Sequence, residues 1–245
     1  MTLLELRRKL VELSGKYDLV TDTTSWADNG ADFFLNAGQR WLDRKLDDKY
    51  SVRRSFKKVE AGAIGVVFEW CRVILQVWVQ ETEEGTRTLL EKKSPTWIRE
   101  EYDGLPDVLT SGTPLYYHPA FLRIFPHNPT IADIQTYLGF ADVTPMQSEG
   151  QIYDGVIFMP PTDKEYVVEV WGHFYSPQLL SETQESYWSV RAPEALLMSA
   201  LRMIEVFHRN TEGVKDWEYA VKEQLADLDK DSADEGGTDV IIMEG

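Results

Sequence analysis

Two apolar stripes near the C-terminus constrain this chain most, because neither can be buried by the other alone. Pro193 suits a first helical position, where a missing N–H costs nothing. Leu197, Ala200, Leu201, Ile204 and Phe207 then recur at steps of three and four, the spacing of one helical face. A break spans His208 to Gly213, and a second stripe follows on Val214, Trp217, Val221, Leu225 and Leu228. The covering surface stands at the other end of the chain. Leu3, Leu6, Leu10 and Leu13 mark a short helix with Thr2 as N-cap and Gly15 as its stop. A second helix, from Asn29 or Gly30 to Leu46, carries Phe34, Gly38 and Trp41 on one line, with Leu35, Leu42 and Leu46 beside it.

From Tyr50 the hydrophobic period changes to two. Val52 to Ala61, Ile64 to Glu69 and Arg72 to Gln80 read as strands, the last with Val73, Leu75, Val77 and Val79 on one buried face. Thr86 to Glu91 reads as a returning strand. Ser94 to Tyr102 reads as a short helix capped by Ser94. Gly112 to His118 and Phe121 to Phe125 read as two further strands, and Asn128 to Gly150 as an inserted loop or short hairpin. Tyr153–Met159 and Glu165–Tyr175 flank Pro160-Pro161-Thr162-Asp163 as the clearest hairpin. The fold class expected is therefore α+β: a helical bundle formed by N- and C-terminal helices with a central antiparallel β-rich insert. Residues 1–49 plus 181–228 make the bundle and 50–180 the insert. Residues 229–245 make an extended acidic tail with an apolar tip.

Composition removes several classes of function. A net charge of −16 argues against an ordinary nucleic-acid binder, which needs cations to neutralise phosphate. The one cysteine, Cys71, allows no internal disulfide and reads as a packed core thiol. No apolar run is long enough for a membrane span, and the N-terminus lacks the apolar core of a signal peptide, so a protein made in the cytoplasm is expected. Glycine-rich phosphate loops, nucleophile elbows and paired-histidine zinc helices are missing. His118, His127, His173 and His208 are scattered and read as structural. No catalytic residue, cofactor or metal is expected.

Two short features remain. Asp227, Asp229, Asp231, Asp234 and Glu235 give the tail its charge. Asp227, Asp229 and Asp231 have the spacing of a calcium-loop start. Ser232 holds the glycine position and Thr238 the twelfth, so that signature fails. A solvated linker is the plain reading, and a wall past which DNA slides without sticking is the functional one. Val240, Ile241, Ile242 and Met243 read either as a frayed end or as a tethered peptide that adds to a neighbouring subunit. Arg53-Arg54, Lys57-Lys58 and Lys92-Lys93 are small basic runs in an acidic chain. They suit solvated strand edges, or a face that meets an acidic partner.

The order of elements resembles the head-to-tail adaptor (connector) proteins of tailed bacteriophages, of the tail-tubular-A or head-completion type. The likeness is spread over nearly the whole chain. It rests on Phe33-Phe34-Leu35-Asn36-Ala37-Gly38-Gln39-Arg40-Trp41-Leu42 in the second helix and on the strand entry Thr113-Pro114-Leu115-Tyr116-Tyr117. It rests also on the turn Pro160-Pro161-Thr162-Asp163, the sheet exit Tyr175-Ser176-Pro177 with Leu179, and Pro193-Glu194-Ala195-Leu196 with the closing helix Trp217 to Leu228. The Asn128–Gln151 segment and the apolar tail tip depart from the pattern. The resemblance implies a structural virion protein without enzymatic activity, in a homo-oligomeric ring commonly of twelve copies. Its partners would be the portal protein above and tail or nozzle proteins below, and double-stranded DNA would pass through its channel. Val240 to Met243 would bind portal or neighbour, and the acidic residues would be linker or channel wall. Alternatives are a tail-terminator or baseplate ring protein, and a carbohydrate-binding β-domain in which Trp97, Tyr116 and Tyr117 stack on sugars.

Overall fold

The computed structural model describes residues 1–45, 52–68, 70–81, 85–103, 109–123, 140–141 and 152–237, with backbone alone at 121–123, 140–141, 152–154 and 227–237. The fold is α+β. It divides into two compact units, Met1–Ser51 with Tyr175–Gly245, and Val52–Phe174.

The first unit is helical and draws on both ends of the chain. Helix α1 (Leu3–Ser14) begins with a reciprocal capping box between Thr2 and Glu5 and ends at Gly15, whose φ of 66° closes the helix in the left-handed region. Helix α2 spans Ala31–Lys45. The short helix α4 (Tyr187–Arg191) leads into α5 (Pro193–Phe207), which has Pro193 in its first turn. After Arg209, at φ 59°, helix α6 runs from Thr211 to Gly237. Leu3, Leu6 and Leu10 of α1 share one core with Phe34, Leu35 and Leu42 of α2, Leu196, Ala200 and Ile204 of α5, and Val221 and Leu225 of α6. Gly38 sets the closeness of α2 and α5: a Cβ there would stand 2.7 Å from the Ala200 nitrogen and from Ser199 Oγ.

The second unit packs two sheets around a common core. Its strands are β1 (Val52–Val59), β2 (Gly65–Phe68), β3 (Cys71–Glu81), β4 (Thr88–Leu89), β5 (Glu91–Lys92), β6 (Tyr116–Arg123), β7 (Phe140–Ala141), β8 (Ile152–Met159) and β9 (Tyr166–Phe174), with helix α3 at Pro95–Glu101. One sheet has the order β1-β9-β3-β4 and the other β5-β6-β8-β2-β7. Val77, Val79, Val168 and Val170 of the first meet Val66, Phe68, Val156 and Phe158 of the second. Helix α3, with Ser94 as N-cap, sets Ile98 against Ile64 and Met159.

Four strand expectations are corrected. The segments either side of Pro160-Pro161 form no hairpin, because β8 pairs with β6 and β2 while β9 pairs with β1 and β3. Two consecutive prolines supply no ladder N–H. The turn is instead held by buried Thr162, whose hydroxyl donates to Glu60 O (2.6 Å) and accepts from Ala63 N–H (2.9 Å). The crossing from β8 to β9 is thus stitched to the crossing from β1 to β2. Second, Thr86–Glu91 is not one strand: Thr88–Leu89 joins β3, and Glu91–Lys92 leaves for β6 in the other sheet. Third, β3 does not alternate. Irregularities between Cys71 and Val73 and between Ile74 and Gln76 shift its phase, so Val73 (43% exposed) and Leu75 (44%) face outward while Cys71, Ile74 and Val77 are buried. Gly172 of β9 makes room for this, since a Cβ there would strike the Val73 carbonyl.

Of the two strands expected between Gly112 and Phe125, the described residues form one, Tyr116–Arg123, running through Pro119 where among the described residues β8 alone pairs with it; 124–125 lie outside the described residues. The acidic stretch also differs from expectation. Asp227, Asp229, Asp231, Asp234 and Glu235 belong to helix α6 rather than to an extended linker. The apolar tip Val240, Ile241, Ile242 and Met243, and most of Asn128–Gly150, lie outside the described residues.

Candidate functional site

Three of the five motifs behind the resemblance meet in the helical unit; the strand entry at 113–117 and the turn at 160–163 lie in the other unit. Helix α2 presents Asn36, Gln39 and Asp43 to the chain leaving the sheet at Ser176–Leu179. Asn36 donates to Leu179 O (3.1 Å) and accepts from Leu179 N–H (2.8 Å). Gln39 Nε2 donates to Pro177 O (2.7 Å). Asp43 accepts three bonds, from Ser176 N–H (2.7 Å), Ser176 Oγ (2.9 Å) and the Trp188 indole N–H (2.8 Å). These bonds bring the sheet exit into the helical unit, so the division falls at Phe174/Tyr175 rather than at residue 180. A second polar knot holds the other end of α2. Buried Arg7 forks onto both Asp32 oxygens at 2.8 Å and also donates to Trp26 O. The Asn-Ala-Gly-Gln motif is therefore a clamp: two polar residues grip the exit while Gly38 admits α5.

Two outward surfaces carry the kinds of side chain that recognise partners. The first is on α6. Val221 and Leu225 face the core, while Asp216, Tyr219 and Glu223 are exposed, Tyr219 by 68%. Asp227, Asp231 and Asp234 continue the line of Asp216 and Glu223 at helical spacing; Asp229 and Glu235 fall off it. Helix α6 holds nine acidic residues against Lys215, Lys222 and Lys230.

The second surface is the outer face of the β1-β9-β3-β4 sheet. The registers align Phe56, Glu169, Trp78 and Leu89 as one row across it, and Arg54, Trp171 and Gln76 as the next. Glu169 is buried to 3% because its neighbours cover it. The Trp171 indole donates to it at 2.7 Å, Arg87 pairs with it directly, and Arg54 lies 3.9 Å away. The guanidinium of Arg54 stacks over Trp171 and that of Arg87 over Trp78. Phe56 is 57% exposed and Leu89 48%. What solvent meets is thus arginine and aromatic surface, the composition of interface centres. The sequence carried half of this signal: alternation in β1 puts Arg54, Phe56 and Lys58 on one side, but only the pairing brings Trp78, Arg87, Leu89, Glu169 and Trp171 beside them.

The other candidates separate. Trp97 and Tyr116 meet edge to face at 4.8 Å with Lys93 Nζ over both rings, while Tyr117 is buried and donates to Leu75 O. No open platform of three aromatics results. Cys71 is buried at 5% exposure. A polar hollow of about 240 Å³ lies beside Glu81, Thr86, Thr88, Thr113 and Tyr166. Glu81 pairs there with Lys164. Among the described residues no group of His, Cys, Asp and Glu is set to hold a metal ion, and no helix is long and apolar enough to cross a membrane. No family model matches the chain, and no curated protein matches it significantly.

Proposed function

We propose that this chain is a non-enzymatic head-to-tail adaptor of a tailed bacteriophage. In this reading copies of it form a ring, commonly of twelve, under the portal protein at the head–tail junction of the virion. The ring extends the DNA channel and offers tail or nozzle proteins a platform. The helices of both chain ends form a bundle that meets the portal, and the β-rich insert points towards the tail. Synthesis is in the host cytoplasm.

The observation that carries the reading is the convergence of three of its scattered motifs. Asn36 and Gln39 grip Ser176–Leu179, and Gly38 packs on Ala200 in the helix opened by Pro193. Residues distant in sequence then serve one purpose, which is to hold the chain leaving the sheet within the helical unit. The net charge of −16 suits a protein that DNA passes without sticking, since like charge disfavours phosphate contact. Electron microscopy of the portal ring of the same virus after incubation with this chain tests the reading. A second ring stacked on one face of the portal is expected; bare portal rings at saturating chain would refute it.

A further inference from the structure

We infer that copies meet head to tail, the outward stripe of α6 in one copy lying across the outer face of the β1-β9-β3-β4 sheet in the next. The inference rests on the ring reading and names the surfaces that would close it. The occupant follows from charge. Helix α6 presents Asp216 and Glu223 around exposed Tyr219, and its sequence continues the line with Asp227, Asp231 and Asp234. Strand β1 holds Arg53, Arg54, Lys57 and Lys58 and no acidic residue. On the sheet face the carboxylate of Glu169 is already covered and Glu165 pairs with Lys58 at 2.6 Å, so the cations Arg54, Lys58 and Arg87, each with a side chain 44–63% exposed, outnumber the carboxylates beside them.

Dimensions agree. The stripe from Asp216 to Asp234 is about 27 Å long at 1.5 Å per residue. Strand β1 is about 23 Å long, and four strands span about 14 Å, a little more than one helix diameter. Phe56 and Leu89 flank the Arg-and-Trp centre and give Tyr219 apolar surface to cover. The helix beyond Leu225 also needs an explanation. Its sequence has Leu228 as its one large apolar residue before Gly237, and a helix polar on every side is stable when it bridges or pairs. Two unlike surfaces joined in this way make a heterologous contact, which closes into a ring when the rotation allows.

A charge swap tests it by sedimentation over a range of protein concentrations, at low and high salt. The face variant is Arg54→Glu with Lys58→Glu, and the helix variant is Asp216→Lys with Glu223→Lys. The wild-type chain is expected to self-associate more weakly as salt rises. Each variant alone should associate at least about tenfold more weakly. Their equimolar mixture should recover, because every contact in an alternating assembly is again complementary. Phe56→Ser and Tyr219→Ser probe the same surfaces without setting a new carboxylate beside Glu169, and each should weaken association too. Variants that associate like wild type, or a mixture that fails to recover while both variants keep their native circular dichroism, would overturn the contact. Such variants still stacking on portal would leave the ring reading standing. A wild-type chain that neither self-associates nor stacks on portal would take both down.

Discussion

Replacing Asp43 should unlock the helical unit more than its size suggests. Its Oδ1 accepts from Ser176 Oγ and the Trp188 indole, and its Oδ2 accepts from the Ser176 backbone. Ser176 and Trp188 are each only 1% exposed, so water cannot replace the lost acceptor without the site opening. Asp43→Ala leaves two donors that cannot turn elsewhere, the Ser176 N–H and the indole N–H; the serine hydroxyl can rotate. A buried donor left unmade costs about 1–3 kcal/mol, so the variant should lose about 2–6 kcal/mol. That is a large part of the roughly 5–15 kcal/mol that holds a typical domain folded. Asp43→Asn keeps one acceptor oxygen for Ser176 Oγ and Trp188 and sets an NH₂ against the Ser176 N–H. It should therefore lose about half as much. Urea unfolding followed by tryptophan fluorescence reads the order, as a midpoint falling from wild type to Asn to Ala at constant slope. Ala and Asn variants indistinguishable from each other, and within about 0.5 kcal/mol of wild type, would refute the argument that this carboxylate joins α2 to the sheet exit.

Other perturbations test neighbouring parts of the account. Arg7→Met removes the fork onto Asp32 and should cost about 3–5 kcal/mol in the same assay; Arg7→Lys should recover little, since an ammonium cannot make two parallel bonds. Gly38→Ala drives a methyl into the α5 backbone and should cost about 1–3 kcal/mol, whereas the same change at exposed Gly62, where a Cβ meets nothing within 4 Å but φ is 83°, tests strain without contact. Asp22 is held at a pKa of about 2 by bonds from the Ser25 hydroxyl and from the Ser25 and Thr24 backbone. Its folded value lies below the ordinary 3.8, so the Thr21–Ala27 loop is supported above pH 3.8 and loses that support as pH falls towards 2. A carbon-13 NMR titration of the Asp22 carboxyl with a midpoint near 3.8 would contradict this.

Helices were the legible part of the sequence because their caps and stripes are local. Thr2, Gly15, Ser94 and Pro193 each mark an end that the structure keeps. Strand existence was legible too, but partnership was not. Pro160-Pro161 looks like a hairpin turn by composition, and only the distant Glu60–Ala63 turn, bonded to Thr162, sends its flanks into different sheets. Likewise the Val73–Val79 alternation was overridden by bulges that Gly172, a hundred residues away, makes room for. At the candidate surfaces, β1 showed its cations in sequence. The aromatic row beside them depends on register, which no local pattern encodes. The acidic run after Leu228 looked like a linker because it lacks an apolar stripe; its helical backbone is what makes it a candidate partner for the sheet.

The proposed role of this chain requires that it assemble on a portal. Sedimentation velocity of the pure chain at low concentration, alone and mixed with the portal ring of the same virus, tests it most directly. A species near 28.2 kDa alone that co-migrates with portal in the mixture is the predicted result. A stable ring that ignores portal would contradict it and point to a tail-terminator or baseplate protein, and a monomer in both samples would contradict any place at the head–tail junction.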